Sequence, residues 1–334
     1  MVDVRILRSE YHFGISESGA AQMGKPIGKP MGKPMTGRLV LALLVAAPPL
    51  AGQTQAYGPL SLELPASTRA MAMGGAFQLT TPASDAIFYN PSLLSEDPRF
   101  GITATTFDRQ ATFLTMSASN GWWGGGVGVG VQALSYTTDA ATVREISEAT
   151  LLTSGARAAS ELIATVGYSR SFGDVDLGVS AKTVEQRLAG SKDLAGAVDL
   201  GVSLQVGRFR IGLAAQNLGT DLDVGGSTLD LANRVTAGAS FQRWVVGPFD
   251  LGASAALSRE ADGTVIPALG GEIAWWPIIG RTFTGWIGIR RVEDGPANAV
   301  TFGGAFHGDA FGIEYAFQDF GALGDAHRVG INWR

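Results

Sequence analysis

The chain has no cysteine and only three histidines, His12, His307 and His327. The first absence removes disulfides, thiolate catalysis and Cys-ligated metal sites; the second leaves almost no imidazole chemistry. Charge is scarce too. Asp, Glu, Lys and Arg make up 16% of the 334 residues, against about 25% in an ordinary soluble domain. A soluble fold of this length would need charge to coat its surface. The formal balance is −5, with no basic stripe to neutralise phosphates, which argues against nucleic acid as a partner. No run of about 18 apolar residues exists, so no membrane-spanning helix is expected. What is present is a normal hydrophobic content of 46% together with 46 glycines, which excludes a disordered chain.

The first 56 residues read as an address. Leu39 to Ala47 form an apolar run ended by Pro48-Pro49, preceded by Lys25, Lys29, Lys33 and Arg38 and followed by small-residue sites at Ala51-Gly52 and Thr54-Gln55-Ala56. That is the layout of a secretory signal peptide. Gly-Lys-Pro repeats lie upstream, around Met23, Met31 and Met35, any of which is a candidate start. Removing residues 1–56 takes away six of the 25 basic and three of the 30 acidic residues, leaving 19 and 27, a balance of −8.

From Arg99 onward the period is two. Phe311, Ile313, Tyr315 and Phe317 alternate with Gly312, Glu314, Ala316 and Gln318, and Val198, Leu200, Val202, Leu204 and Val206 alternate with Asp199, Gly201, Ser203 and Gln205. Such alternation predicts strands. Fourteen candidates follow, near 99–107, 110–119, 122–136, 160–172, 174–188, 192–206, 208–217, 232–246, 248–258, 263–276, 282–292, 298–308, 310–319 and 325–334. Most are longer than the ~5–6 residues usual in soluble sheets and match the ~9–11 needed to cross a bilayer. Tight connections, such as Asn120-Gly121, Gly173-Asp174 and Gly247-Pro248, alternate with longer ones, such as 137–159 and 218–231. Short turns on one side and longer loops on the other describe an outer-membrane barrel. A soluble barrel with the opposite polarity is the rival, but fourteen strands leave a hole. A hole lined with Phe and Leu would be empty and costly; one lined with Ser, Gln, Asp and Arg holds water or a plug. Trp122, Trp123, Tyr136, Trp244, Phe249, Trp275, Trp276, Trp286 and Trp333 suit interfacial girdles.

Residues 67–95 break the alternation. Ser67 or Thr68 is placed to N-cap a turn of helix ended by Gly74-Gly75, and Ser84 a second that stops before Pro91. The residues alone leave two readings, a linker with local turns or a plug in the barrel mouth.

The stretches Arg69-Ala-Met-Ala-Met-Gly-Gly-Ala-Phe77 and Asp85-Ala-Ile-Phe-Tyr-Asn-Pro-Ser-Leu-Leu94 resemble the N-terminal signature of the PorV/PorQ family, within the larger group of barrels similar to the FadL long-chain fatty-acid transporter. Ile211-Gly-Leu-Ala-Ala-Gln-Asn-Leu-Gly219, Asn233-Arg-Val-Thr-Ala-Gly-Ala-Ser-Phe241 and the closing segments 314–320 and 323–333 match as well. The resemblance runs from about Ser67 to the end. It implies an all-β transmembrane antiparallel barrel of about fourteen strands (99–334), preceded by a leader (1–56) and a short helical plug (57–98). It also implies a plug motif of Arg69, Gly74, Gly75, Asp85, Asn90 and Pro91, and a C-terminal strand, with Gly330 and Trp333, read by the barrel assembly machinery. Asn90-Pro91-Ser92 stands where Asn-Pro-Ala is usual, and Arg334 follows Trp333 where such barrels commonly end on an aromatic.

No enzyme is expected. His307 and His327 lie in no catalytic motif. Asp221, Asp223, Asp230, Glu293, Asp294, Asp319 and Asp325 offer oxygen ligands for Ca²⁺, but without EF-hand spacing they read as a solvated rim. Gly124, Gly126, Gly128 and Gly130 alternate with valines inside a strand and read as a tight or plug-contacting wall; Arg208 and Arg210 read as lining the periplasmic mouth. The expected location is the bacterial outer membrane, with lipid and the assembly machinery as partners and no cofactor. Two functions compete. One is a secretion-associated platform that receives exported cargo proteins, as in type IX secretion; the other is passive transport of hydrophobic small molecules. Loops 137–159 and 218–231 read as polar and unlike a greasy entry site, which favours the first.

Overall fold

A computed structural model describes residues 57–76, 83–107, 111–137, 158–188, 191–224, 227–291, 299–321 and 324–334. The leader, loop 137–159 save its end residues, and Glu293 and Asp294 lie outside these residues.

Arg99 opens the first of fourteen long strands: β2 (Arg99–Phe107), β3 (Ala111–Trp122), β4 (Gly125–Thr137), β5 (Ala158–Phe172), β6 (Val175–Leu188), β7 (Ser191–Val206), β8 (Phe209–Gly219), β11 (Arg234–Val246), β12 (Phe249–Glu260), β13 (Val265–Ile278), β14 (Arg281–Arg290), β15 (Val300–His307), β16 (Phe311–Asp319) and β17 (Asp325–Trp333). Each pairs antiparallel with the next. β17 returns to β2, with Trp333 opposite Phe100, and β11 pairs with β8, so the sheet closes on itself. Three short strands stand apart as a small sheet: β1 (Tyr57–Gly58), β9 (Leu222–Val224) and β10 (Ser227–Leu231), in the order β1-β10-β9.

Alternation assigns the two faces. On β3, Ala111, Phe113, Thr115, Ser117 and Ser119 are buried while Leu114 and Met116 are exposed. On the other strands Val129, Val131, Leu162, Val166, Leu177, Val179, Leu200, Ile211, Leu257, Leu269, Ile287, Ile313 and Val329 likewise point outward. A continuous exposed apolar belt of this extent belongs against hydrocarbon, not water. The scarcity of charge noted above is the counterpart of this belt.

The end at which β3 joins β4, β5 joins β6, β7 joins β8, β11 joins β12, β13 joins β14 and β15 joins β16 is the turn end, and the opposite one is the loop end. The exposed rings Phe100, Trp122, Trp123, Phe172, Phe209, Trp244, Phe249, Trp275, Phe311 and Trp333 gather there as a girdle, with contacts such as Phe100–Trp333 at 5.3 Å and Trp275–Phe283 at 5.8 Å. Tyr136 and Trp286 do not belong to it. Both have inward parity and are about 4% exposed, and the Trp286 indole donates to Glu272 across the lumen face. Trp276 also has inward parity and lines a lumen cavity.

The first tight turn also differs from expectation. Asn120 and Gly121 lie within the β3–β4 ladder, opposite Val127 and Gly126, and the chain reverses at Trp123-Gly124. Gly121 is small for a different reason: a Cβ there would stand 2.8 Å from the Glu96 carbonyl oxygen, where the chain leaves the lumen.

Candidate functional site

The lumen holds residues 57–76 and 83–95. Backbone that is neither helix nor sheet tolerates membrane depth only when its polar groups are satisfied by protein or water. The inward side chains of the wall do this. Thr115 donates to the Ala66 carbonyl at 2.8 Å, Gln132 to Ser61 at 3.1 Å, Gln216 to Phe88 at 2.7 Å and Thr301 to Ala72 at 2.9 Å. Glu161 works in the other sense, accepting the N–H groups of Leu60 and Ser61 and the Tyr136 hydroxyl. Inside the plug, the Tyr89 hydroxyl accepts the N–H groups of Ala66 and Ser67 at 2.6 and 2.9 Å. Burial pushes the Tyr89 phenol up to about 12, with Arg328 opposing the rise, so this junction stays neutral at working pH.

Helix α1 (Thr68–Ala72) is capped by Ser67, whose hydroxyl accepts the Ala70 N–H at 3.4 Å. It stops where Gly74 and Gly75 take φ of 63° and 84°, a region that glycine enters without strain. Two 3₁₀ turns follow, Asp85–Phe88 and Pro91–Leu93, the second capped by the Asn90 side chain at 3.2 Å from the Ser92 N–H.

Both groups of plug residues sit on glycine. On one wall, a Cβ at Gly126 or Gly128 would come within 2.5 Å of Leu94, one at Gly130 within 2.5 Å of Phe88, and one at Gly167 within 2.6 Å of Ile87. At Gly178 it would strike the Pro91–Ser92 peptide and at Gly201 the Asn90 amide. On the wall formed by β13–β17, Gly270 and Gly288 lie against Met73 and Gly74, Gly303 against Ala72, and Gly330 against Thr68. Gly126, Gly128 and Gly130 are thus wall in contact with the plug, whereas Gly124, expected in the same strand, lies in the β3–β4 turn with nothing within 4 Å of a Cβ.

The lumen has two zones. Near the loop end its inward residues are apolar: Phe107, Phe113, Leu134, Tyr136, Ile163, Val184 and Leu188 form one buried cluster with Leu62, Leu222, Val224, Leu229 and Leu231. The last four come from the β9–β10 hairpin, which folds into the mouth and pairs with the start of the plug, Tyr57 opposite Asp230 and Gly58 opposite Leu231. Segment 218–231 is therefore not a polar loop. Asp221 and Asp223 are exposed while Leu222, Val224, Leu229 and Leu231 are buried, a signal present in the sequence as the pairs Leu222/Val224 and Leu229/Leu231. Below the cluster, the buried Lys182 meets Asp199 at 2.9 Å and the Asn217 side chain at 2.7 Å. Asn217, at φ 60°, forms a bulge and gives its own N–H to Asp199.

Toward the turn end lies a polar cavity of about 670 Å³, lined by Arg69, Asp85, Glu272, His307, Glu314 and Asn332 among others. Arg69 and the Trp286 indole converge on one oxygen of Glu272, at 2.5 and 2.6 Å. Burial raises the Asp85 carboxyl above its ordinary range, with Ser67 and Arg69 pulling it down and Glu314 adding to the rise. Arg210 reaches Asp176 at 3.3 Å on the same side.

Of the plug-motif residues, Arg69 and Gly74 lie against the β13–β17 wall, as does Thr68 against Gly330, whereas Asn90 and Pro91 lie against β6 and β7; Gly75 ends α1 and Asp85 faces the polar cavity. Trp333 lies apart from them, on the outer face. His307 faces the cavity, 3.5 Å from Glu314, while His327 has outward parity and bonds the Tyr315 hydroxyl at 2.9 Å. No group of three or more acidic or histidine side chains placed to hold a metal occurs among the described residues. Glu161, the β9–β10 hairpin and the glycines at 178, 201 and 288 are site residues that sequence reasoning did not single out.

No protein-family model and no curated protein matches the chain. Solved structures do. The Pseudomonas putida toluene transporter TodX has a TM-score of 0.50 at 13% identity, covering 83% of this chain and 96% of that one. The monoaromatic hydrocarbon channel CymD has 0.52 at 10%, covering 80% and 96%. A FadL homologue from Pseudomonas aeruginosa has 0.47 at 9%, covering 81% and 98%. At 10–13% identity the likeness to TodX and CymD is one of fold, and in this chain that fold is a closed barrel of fourteen strands.

Proposed function

We propose that this barrel sits in the bacterial outer membrane, turn end toward the periplasm, and passes small hydrophobic molecules inward without an energy source. The observation that carries this reading is the apolar loop-end zone of the lumen, where Phe113, Leu134 and Ile163 meet the Leu222, Val224, Leu229 and Leu231 face of the inserted hairpin. A water-filled pore has no use for these side chains, which close on one another, whereas a hydrophobic solute that parts the hairpin from the wall exchanges water for apolar surface, a favourable transfer. The fold shared with a toluene transporter and a hydrocarbon channel points the same way. In this reading the plug motif Arg69, Gly74, Gly75, Asp85, Asn90 and Pro91 sets how firmly the lumen is stopped.

The test is a deletion strain, complemented by the wild-type chain, assayed in parallel for uptake of radiolabelled aromatic hydrocarbon and long-chain fatty acid and for its secreted proteome. Slower uptake with an unchanged secretome is expected. A depleted secretome with unchanged uptake would instead support the secretion platform that the PorV/PorQ resemblance implies.

A further inference from the structure

A depression of about 620 Å³ lies on the outer face of the wall, near the turn end of β4–β7. Its size is that of a ligand cleft, about 300–1,000 Å³, yet it opens toward the membrane and is separate from the lumen. Ala181 is its low point. Ala181 pairs with Val166 on one side and Val198 on the other, so one methyl group lies between two isopropyl groups. The floor there thins to Gly167 and Ser180.

The rim toward the turn end is aromatic and charged. Trp122 and Trp123 stack at 4.7 Å with planes 6° apart, and the Tyr168 hydroxyl donates to the Trp123 carbonyl at 3.2 Å. Trp123 takes φ of 51° in a two-residue turn with Gly124 at 69°, where Asn or Gly is the unstrained choice. A bulky residue held at positive φ is the kind of local cost found where a side chain has a task. Here the strain holds an indole over the depression. Arg170 completes the rim. It points outward, two residues from the end of β5, stacks on Phe172 at 5.7 Å and has no carboxylate partner among the described residues. Along β5 the order from the turn end is thus Arg170, Tyr168, Val166: cation, amphipathic ring, aliphatic.

We infer that this groove binds one phospholipid of the leaflet at the turn end, the phosphate on Arg170 and an acyl chain across Val166, Ala181 and Val198. The order of chemistry along β5 matches a lipid from headgroup to chain. A guanidinium facing lipid is costly at mid-depth but tolerated at headgroup level, and it prefers a phosphate to water as its partner. The inference requires the chain to span a bilayer but not the proposed transport, so either can fail without the other.

The test is native mass spectrometry of the full barrel, released from non-ionic detergent micelles doped with palmitoyl-oleoyl-phosphatidylglycerol. Only protein that shows the heat-modifiable mobility of a folded barrel is compared. Wild type is expected to retain one phospholipid. Arg170→Gln is expected to retain about tenfold less, the loss of one charge-assisted contact, and Ala181→Trp, which fills the groove, to retain none. Trp123→Gly relieves the turn, so its barrel is expected to be no less heat-stable while its lipid retention falls. Leu269→Trp, outward on β13, should retain as much as wild type. Equal retention by Arg170→Gln and Ala181→Trp, or equal capture of uncharged diacylglycerol, would overturn the site.

Discussion

The carboxylate of Glu161, on the wall, accepts the backbone N–H of Ser61, in the plug, at 2.7 Å, and that of Leu60 at 3.2 Å. The first turn of the plug is thereby fastened to β5 close to the loop end. Replacing Glu161 with Ala takes this acceptor from the Leu60 and Ser61 amides, a loss of about 2–4 kcal/mol. The barrel should still form, since its ladders do not involve this side chain. Limited proteolysis is expected to cut the plug, residues 57–98, faster in this variant, with heat-modifiable mobility retained. Glu161→Gln, which keeps one acceptor, should fall between the two.

Gly178 faces the Pro91–Ser92 peptide, and any Cβ there meets plug backbone, which has no flexible end to move aside. Gly178→Val should therefore displace the plug and raise single-channel conductance in planar bilayers. Gly196→Val on β7 is the control, because nothing stands within 4 Å of a Cβ at that position, and its conductance should equal wild type.

Leu229 is about 2% exposed in the cluster under the hairpin. A carboxylate there costs several kcal/mol to bury without a partner, so it turns outward and takes β10 with it. Leu229→Asp is expected to loosen the mouth and to speed permeation of hydrophobic dyes into whole cells. Unchanged permeation would show that the hairpin is not a barrier.

The raised Asp85 carboxyl has a pH signature of definite sign. Because the folded protein holds the proton more tightly than the unfolded chain, its contribution is most favourable below the ordinary Asp range and is lost as pH rises through the folded value. Asp85→Asn should thus raise the temperature of heat modification at neutral pH. The gain should shrink as the buffer is acidified toward pH ~4. A gain that grows on acidification would mean the carboxyl is favoured in its charged form.

Much of the barrel is legible in the sequence because period two is a local property. Arg99–Phe107 has the same bounds in sequence and structure, and the other long strands differ by a few residues at their ends. Parity of burial is less legible. Tyr136 and Trp286 read as girdle residues because an aromatic near a strand end suits either face, and only closure of the barrel shows which face is in. The Asn120-Gly121 pair carries a strong turn signal, yet the ladder runs through it because Gly121 answers to Glu96, on a distant stretch of chain. Segment 218–231 is misjudged by composition, which counts Asp and Thr but not their phase.

The sequence by itself determined that the chain makes long alternating strands and that one face of them avoids charge, because both follow from side chains two residues apart. Only the tertiary structure decided what fills the hole. Whether Ser, Thr, Gln and Gly on the inner face meet water or a polypeptide depends on contacts between residues 100 and more positions apart, such as Ser61 with Glu161 and Ala72 with Thr301. Hydrogen bonds and van der Waals contacts act over a few ångströms, so no local pattern in the chain records them.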